Sequence, residues 1–139
     1  RRMIALCESR GLTLNAHNHT YEVDWEQHEL KAMLARIPEL RLGPDLNWLR
    51  RAGIDAWAFL RQYSDRIVFM HLRPQRDDRW VQTLAEGDED WTELARVINE
   101  MDFRGWIGVE LAFRPENPVT RSMGQNYALC LDFLRKTLA

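Results

Sequence analysis

Residues 66–71, Arg-Ile-Val-Phe-Met-His, give the clearest strand pattern in this chain. β-branched and large apolar residues in a short run are typical of a buried β-strand. Helical patterns lie on both sides of it. Asp55 can cap a helix before the strand, and Asp90 with Glu93 has the D-x-x-E spacing of a capping box after it. A buried strand between two helices is the repeating unit of a parallel α/β sheet.

The same alternation of short apolar and longer helical segments continues toward both ends of the chain. Further strands are predicted at residues 12–17, 40–42 and 106–110, and further helices before Gly11, at 24–37 and from about 121 to 138. The order, one helix and then four βα units, predicts a single partial α/β domain over residues 1–139 with a parallel sheet.

Four strands are too few to close a (β/α)8 barrel, which takes about 250 residues. Half of such a barrel and an open four-stranded sheet are therefore the two architectures that fit. A Rossmann-type nucleotide fold is disfavoured because its glycine-rich phosphate-binding motif does not occur. The chain begins inside a predicted helix and without an initiator Met, so we expect a piece of a longer protein.

The composition argues against two kinds of partner. The 139 residues carry a net charge of −2 with basic and acidic side chains interspersed, so no basic stripe offers a nucleic-acid interface. Apolar runs are only a few residues long, so no segment is predicted to cross a membrane. Cys7 and Cys130 lie far apart and outside any C-x-x-C pair. That usage favours reduced thiols and a cytoplasmic location.

Side chains able to bind a metal stand at the C-terminal end of each predicted strand: His17 (with His19), Asp45, His71 and Glu110. Barrels and open α/β sheets place their sites at this end, and strand alternation directs these side chains to one side. Each alone has an ordinary explanation; Asp45, for example, follows Gly-Pro as a turn residue does. Together they predict a divalent-metal site. Imidazole with carboxylate suits Mn²⁺, Zn²⁺ or Co²⁺ better than Ca²⁺.

Five motifs follow one another along the chain: GLTLNAHNHTYE at 11–22, DLNW and AGID within 45–55, RIVFMHL at 66–72, LAEGDEDW at 84–91 and GWIGVE at 105–110. In this order they resemble the sugar phosphate isomerase/epimerase superfamily of xylose-isomerase-like TIM barrels. That superfamily includes ketose 3-epimerases, hydroxypyruvate isomerase and inosose dehydratase. The resemblance implies the C-terminal half of a (β/α)8 TIM barrel, strands five to eight, in a branch with an H-N-H motif on strand five.

The resemblance also implies a ligand set, since a Glu, Asp, His and Glu on these four strands bind the metal in this family. Asp45, His71 and Glu110 match the last three, and His17 stands in the first position, where this chain departs from the pattern. Mg²⁺ is a further candidate ion under this resemblance.

That departure bears on the reaction. Epimerases of the family use two metal-bound carboxylates to move a proton between the faces of the substrate, and only Glu110 remains of that pair here. His19 or Glu22 is expected to supply the second catalytic group, because a histidine near its ordinary pKa suits proton transfer at neutral pH. The difference favours an isomerase or an inosose-dehydratase-like enzyme over 3-epimerisation.

Substrate contacts are expected from two residues near the same rim. Arg73 stands with Pro74 where the family has Lys-Asp, and it either holds a substrate oxygen or phosphate or is a solvated loop arginine. Trp48, with Trp80 near the same mouth, either faces a sugar ring or packs in the interior. Asn18 is expected to point away from the barrel axis.

The leading interpretation is a metal-dependent isomerase, epimerase or dehydratase that removes a proton next to a carbonyl of a sugar, keto-sugar or cyclitol. Metal-dependent phosphodiester hydrolysis is disfavoured because the ligands are sparse and the charge is balanced. A catalytically inactive half-barrel or assembly module is the alternative. In every case the outermost strands would expose unpaired edges. The expected partner is therefore the missing N-terminal half of the barrel or a second copy of the chain.

Overall fold

The computed structural model of the chain describes residues 1–138. Its helices are α1 (Arg2–Glu8), α2 (Thr20–Arg36), α3 (Leu46–Arg51), α4 (Ala56–Gln62), α5 (Trp91–Glu100) and α6 (Met123–Thr137). Its strands are β1 (Asn15–Ala16), β2 (Arg41–Leu42), β3 (Phe69–Leu72), β4 (Gln75–Arg76), β5 (Arg79–Trp80) and β6 (Trp106–Val109). A short 3₁₀ turn covers Leu84–Glu86.

Four strands form a parallel arc in the order β1, β2, β3, β6. β1 pairs with β2, and β3 pairs with β6 over its whole length. Parallel bridges from Leu42 to Ile67 and from Asp45 to His71 join the two pairs. Because helices follow these strands in sequence, the arrangement is a section of a (β/α) barrel, and the predicted half-barrel architecture is confirmed.

The two faces of the arc differ in burial, as β3 illustrates. Met70 and Leu72 are buried in the hydrophobic core. Phe69 and His71, which alternate with them, are only half-buried. The helices supply the other side of the core through residues that include Leu49, Phe59, Leu60, Leu94 and Val97. The core therefore lies between sheet and helices, and the opposite face of the sheet remains accessible.

The strands are shorter than the sequence pattern predicts. The segment at 12–17 contributes only Asn15–Ala16, and the segment at 66–71 becomes Phe69–Leu72. β1 is limited by β2, which offers a ladder of only two residues, Arg41–Leu42, and β3 begins opposite Trp106, the first residue of β6. The apolar pattern marks residues fit for a strand, but hydrogen-bonded pairing ends where the neighbouring backbone ends.

The polar stretch after β3 folds into an antiparallel hairpin, β4–β5, which the sequence did not predict. Its two-residue loop is Asp77-Asp78, and both have positive φ, at 46° and 62°. Positive φ at both central positions is the geometry of a type I′ turn, which matches the twist of paired strands. The turn was missed because Asp-Asp lacks the glycine that usually marks it.

The helix predicted at 24–37 is longer and interrupted. α2 begins at Thr20, and its backbone leaves the helical region at Asp24 and turns left-handed at Trp25, Glu26 and Gln27. In a regular helix over 24–37, the helical spacing of Trp25 with Leu30, Met33, Leu34 and Ile37 predicts one apolar face; for Trp25 this is wrong, because the residue is 84% exposed. The left-handed residues break the 100° rotation that a helical pattern assumes.

β1 and β6 form the two edges of the arc. Within residues 1–138, β1 is hydrogen-bonded on its β2 side only, and β6 on its β3 side only. Trp106, on β6, is 79% exposed. None of the helices in the described part of the chain combines the length and the apolarity needed to span a membrane.

Gly105 allows β6 to approach β3 closely. A Cβ at this position would collide with the carbonyl oxygen of Val68, which accepts a hydrogen bond of 3.1 Å from the Trp106 N–H. We predict that Gly105→Ala lowers the free energy of unfolding by about 1–3 kcal/mol through overpacking. Gly124→Ala in α6 is the control, since nothing lies within 4 Å of the added Cβ. Equal stability of the two variants in urea titrations would contradict the close approach.

Candidate metal and substrate site

Asp45, His71 and Glu110 meet at the C-terminal rim of the parallel arc. One ligand atom from each lies within 4.8 Å of the others. The backbone explains the convergence, because Asp45 bridges to His71 and the Glu110 N–H donates to the Leu72 carbonyl at 3.0 Å. Residues at equivalent points of neighbouring parallel strands must lie side by side. One imidazole and two carboxylates form a donor set suited to a divalent transition metal.

Asp45 has two roles, one for each carboxylate oxygen. Oδ1 accepts hydrogen bonds from the N–H groups of Asn47 at 2.8 Å and Trp48 at 3.3 Å, and so caps α3. Oδ2 is buried and accepts no hydrogen bond from any described residue. Burial raises the pKa of Asp45, although Arg73 and the two cap amides act in the opposite direction. A buried carboxylate oxygen without a donor fits a bound cation.

The three candidate ligands differ in how accessible they are. The side chain of Asp45 is 0% exposed, that of His71 26% and that of Glu110 43%. His71 Nδ1 lies 3.3 Å from Glu110 Oε2. Glu110 is thus the ligand best placed to meet a molecule arriving from the open face of the sheet.

Arg73 lies against both carboxylates of this group. Its guanidinium donates to Glu110 Oε1 and lies 3.6 Å from Asp45 Oδ2. The side chain is only 7% exposed and stacks within 4.7 Å of the Trp80 ring centre. The alternative of a solvated loop arginine is therefore wrong. Its predicted contact with substrate remains a prediction.

His17 lies beside the three clustered ligands without joining them. Its ring centre is 4.7 Å from that of His71 and 4.9 Å from that of His19. Burial, followed by the neighbouring imidazoles of His71 and His19, lowers the pKa of His17. Its Nδ1 is buried without a hydrogen-bond partner among the described residues. The neutral imidazole retains a free lone pair, so its predicted role as a fourth ligand stays open to test.

His19 and Glu22 form the start of α2. The Glu22 carboxylate accepts a hydrogen bond of 2.6 Å from the His19 N–H, and His19 Nδ1 lies 3.7 Å from the same oxygen. The His19 ring is 5.5 Å from that of Trp48. Glu22 is thereby tied to a helix terminus, and His19 faces the aromatic side of the rim.

Asn18 holds Asp45 in position, which sequence alternation did not reveal. Asn18 Oδ1 accepts from the Asp45 N–H at 3.1 Å, and its Nδ2 donates to the Asp45 carbonyl at 3.4 Å. Asn18 is buried. The predicted direction of Asn18, away from the barrel axis and opposite to His17 and His19, did not indicate that its amide binds the backbone of Asp45. The signal available in the sequence was the position of Asn18, an amide between the candidate ligands His17 and His19.

A polar network supports the two tryptophans at the rim. Asn47 donates to Gln75 Oε1 at 2.5 Å and accepts from Trp80 Nε1 at 3.1 Å. Arg51 donates to both amide oxygens at 3.1 Å. The rings of Trp48 and Trp80 stand perpendicular with centres 6.1 Å apart. No sequence pattern indicated this network, because its members come from α3 and the unpredicted hairpin.

Comparisons with known proteins agree with this fold. The family model of the xylose isomerase-like TIM barrel matches residues 1–136. D-allulose 3-epimerase from Methylomonas sp. superposes with a TM-score of 0.75 at 15% identity, covering 99% of this chain and 52% of that one. An L-ribulose 3-epimerase superposes with a TM-score of 0.74 at 12% identity, covering 99% of this chain and 50% of that one. A sugar phosphate isomerase/epimerase from Parabacteroides distasonis superposes with a TM-score of 0.71 at 18% identity, covering 97% of this chain and 50% of that one.

The chain thus spans about half the length of these solved structures. At such identities the likeness establishes the fold. No curated protein sequence matches the chain.

Glu89 lies next to the polar network and makes the stability of the chain depend on pH. Oε1 accepts from the Gln75 N–H at 3.2 Å, and Oε2 is buried without a donor among the described residues. The side chain is 13% exposed, and burial raises its pKa from 4.5 to about 7. Because the folded chain then binds the proton more tightly, the contribution of Glu89 to stability is greatest below pH 4.5 and declines as pH rises through 7.

We predict that Glu89→Gln removes this decline and is more stable than the parent above pH 7, by about 1–3 kcal/mol. Glutamine keeps the acceptor for Gln75 and removes the buried charge. Urea unfolding from pH 4 to 8 measures the effect, and Glu29→Gln on the exposed surface of α2 is the control. If the free energies of unfolding of the parent and of Glu89→Gln change with pH in the same way across this range, Glu89 does not bind the proton as described.

Proposed function

Because the chain belongs to the xylose isomerase-like TIM barrel family, we propose that it forms the metal-binding half of a sugar isomerase, epimerase or dehydratase. The substrate would be a sugar, keto-sugar or cyclitol, and the reaction would begin with removal of a proton next to a carbonyl. The observation that carries the proposal is the convergence of Asp45, His71 and Glu110, with one buried oxygen of Asp45 that accepts no hydrogen bond from the described residues. A cytoplasmic location belongs to the same proposal, since Cys7 and Cys130 are free thiols.

The residues that would hold a divalent metal are Asp45 through Oδ2, His71 and Glu110, with His17 as a fourth candidate at the side. Mn²⁺, Zn²⁺, Co²⁺ and Mg²⁺ are the candidate ions, and the imidazole favours the first three over Mg²⁺. A metal bound there would polarise a substrate carbonyl or hydroxyl pair and stabilise negative charge on its oxygens.

Glu110 is the group that we assign to proton removal. It is the most exposed of the three ligands, so its carboxylate can reach a substrate C–H from the open face. Arg73 donates to Glu110 Oε1, which orients the carboxylate. Asp45 is completely buried, which suits a ligand and not a base.

His19 is the better candidate for a second proton carrier. Glu22 is engaged by the His19 N–H at the start of α2, whereas His19 Nδ1 has no hydrogen-bond partner among the described residues. His17 in place of a carboxylate ligand supports isomerisation or inosose-dehydratase-like dehydration over 3-epimerisation. Two of the superposed structures are 3-epimerases, which keeps epimerisation within the proposed class. Trp48, 5.5 Å from His19, would offer its ring to the substrate.

Replacing Asp45 tests the metal site with a matched control. We predict that Asp45→Asn weakens Mn²⁺ binding by more than about tenfold, since it removes an anionic ligand. The amide oxygen can still cap α3, so the fold is expected to survive. Asp55→Asn is the control, because Asp55 caps α4 in the same way, at 2.9 and 3.1 Å, from an exposed position.

Binding is measured by calorimetry and by the Mn²⁺ electron paramagnetic resonance signal, with His71→Ala as a second variant. Mn²⁺ affinities that are equal in the parent, Asp45→Asn and His71→Ala would remove the basis of the proposal. The alternative, an inactive half-barrel or assembly module, would then be favoured.

The edges of the arc support the proposal of a partner half. β1 and β6 are paired on one side only within residues 1–138, and unpaired edges attract further strands. The missing N-terminal half of a barrel would pair with both edges, and a second copy of the chain would do so when that half is absent.

We predict that the isolated 16.5 kDa chain self-associates in size-exclusion chromatography with light scattering. Trp106→Lys, at the exposed edge strand β6, is expected to shift the population toward monomer. Trp25→Lys is the control, since Trp25 is similarly exposed but lies on α2. A parent chain that stays monomeric at high concentration argues against edge pairing.

A further inference from the structure

Arg73 lies where a metal ion would be needed to balance the charge of the candidate ligands. Its guanidinium donates to Glu110 Oε1 and lies 3.6 Å from Asp45 Oδ2. Asp45 and Glu110 are the two carboxylates of the group able to hold a metal ion. Among the described residues, no other arginine and no lysine pairs with either of them. A side chain of the protein therefore already neutralises part of the charge that a cation would neutralise.

The surroundings of Arg73 keep it in this place. The side chain is 7% exposed, and its Cζ lies 4.7 Å from the ring centre of Trp80 and 5.5 Å from that of Trp48. Its Nε is buried and donates to no described residue. In the described part of the chain, the carboxylates of Asp45 and Glu110 are the only anionic groups with which it pairs. A buried charge that loses its partner is costly, so the pairing also matters to the fold.

A metal ion at these ligands would compete with Arg73 for the same negative charge. Coordination by Asp45 would use Oδ2, the oxygen that lies 3.6 Å from the guanidinium and accepts no hydrogen bond from the described residues. A doubly charged ion would also repel the guanidinium at short range, in a place where burial weakens screening. Metal binding therefore favours withdrawal of Arg73 from the carboxylates.

A hydrogen-bond donor behind a metal ligand ordinarily has the opposite effect. It orients the ligand, and its loss lowers metal affinity about 10–100-fold. Arg73 would act in this way if it stayed on Glu110 Oε1 while the metal used Oε2, which lies 3.3 Å from His71 Nδ1. Two features distinguish Arg73 from such a donor: its full positive charge, and its position beside the Asp45 oxygen that the metal would need. The two roles predict changes of opposite sign when Arg73 is replaced.

We propose that Arg73 is an internal counter-cation, which holds the ligand carboxylates in the metal-free chain and is exchanged for the metal ion when one binds. The proposal rests on the metal site of the proposed function and adds that Arg73 opposes metal binding. In the metal-free chain Arg73 stabilises the fold by neutralising Asp45 and Glu110. In the metal-bound chain it is released from them, and its contacts with Trp48 and Trp80 remain. Arg73 is thus a positioning residue that sets the metal affinity of the site.

Titration of Arg73→Gln and the parent chain with Mn²⁺ tests the sign of the effect. Loss of the competing charge is expected to tighten Mn²⁺ binding about fivefold or more, measured by calorimetry and by the electron paramagnetic resonance signal of free Mn²⁺. Arg73→Lys keeps the charge and is expected to return the affinity toward that of the parent. If Arg73→Gln binds Mn²⁺ as tightly as the parent or more weakly, the proposal is overturned and Arg73 is a support of Glu110.

Arg51→Gln is the matched control for loss of a positive charge at the rim. Arg51 also lies against Trp48 and Trp80, at 5.7 and 5.4 Å from their ring centres. Its hydrogen bonds go to amide and carbonyl oxygens, and it forms no ion pair among the described residues. Arg51→Gln is expected to change Mn²⁺ affinity less than about twofold. An equal tightening in Arg51→Gln and Arg73→Gln would contradict a specific exchange.

Thermal unfolding measures the same exchange through stability. Without metal, Arg73→Gln is expected to unfold about 3 °C or more below the parent, because Asp45 and Glu110 lose their counter-charge. Saturating Mn²⁺ is expected to raise the unfolding temperature of Arg73→Gln more than that of the parent, since the ion then supplies the missing charge. A smaller or equal rise in Arg73→Gln argues against the exchange.

Hydrogen exchange of the Arg73 Nε–H tests the proposal on the parent chain, and so does not depend on the folding of a variant. Its ¹H–¹⁵N signal is assigned by its absence from Arg73→Lys. Zn²⁺, which is diamagnetic, is expected to speed exchange of this buried group with solvent, because the side chain is released. Unchanged or slower exchange in the Zn²⁺-bound chain overturns the proposal.

The outcomes separate this proposal from the proposed function. Mn²⁺ binding by the parent that Arg73→Gln does not tighten overturns the counter-cation and leaves the metal site intact. Mn²⁺ binding by Arg73→Gln alone supports the counter-cation and a site that Arg73 keeps closed in the parent. If neither chain binds Mn²⁺, both the counter-cation and the metal-dependent function are overturned.

Discussion

The register of the parallel arc is the constraint on which the rest of the structure depends. Asp45 bridges to His71, and the Glu110 N–H bonds to the carbonyl of Leu72, the residue after His71. Residues separated by 26 and 39 positions in sequence are thereby brought to one rim, 4.8 Å or less apart at their ligand atoms. A parallel ladder fixes direction as well as neighbours, so every strand delivers its last side chain to the same end. Gly105 matters for the same reason, because it lets β6 approach β3 closely enough to keep this register.

Asp45 shows how stability and function share one side chain. One carboxylate oxygen completes the N-terminus of α3, and the other is left buried without a donor. Burial raises the pKa of the group, so the folded chain bears an electrostatic cost that a bound cation would offset. Asn18 holds the Asp45 backbone from the neighbouring strand end through two hydrogen bonds. A helix cap and a metal ligand would thus be one structural unit.

Arg73 connects the candidate metal ligands to the aromatic rim. On one side it donates to Glu110 and lies 3.6 Å from Asp45 Oδ2, and on the other it stacks between Trp48 and Trp80. A guanidinium and a cation would compete for the same carboxylates, so occupation of one position alters the other. The hairpin β4–β5 makes this arrangement possible, because it carries Trp80 back over Asn47 and Arg51 of α3.

Local pattern determined the alternation of helices and strands, the polar ends of the strands and the family motifs, since these depend on residues close in sequence. Asp45, His71 and Glu110 were identified as candidate ligands in this way, and the half-barrel fold followed from the same signals. Tertiary structure alone decided the rest. It placed His17 beside the ligands and not among them, buried Arg73, exposed Trp25 and gave Asn18 its hold on Asp45. These outcomes depend on the angle between elements and on a left-handed interruption of α2, and a linear pattern carries no information about either.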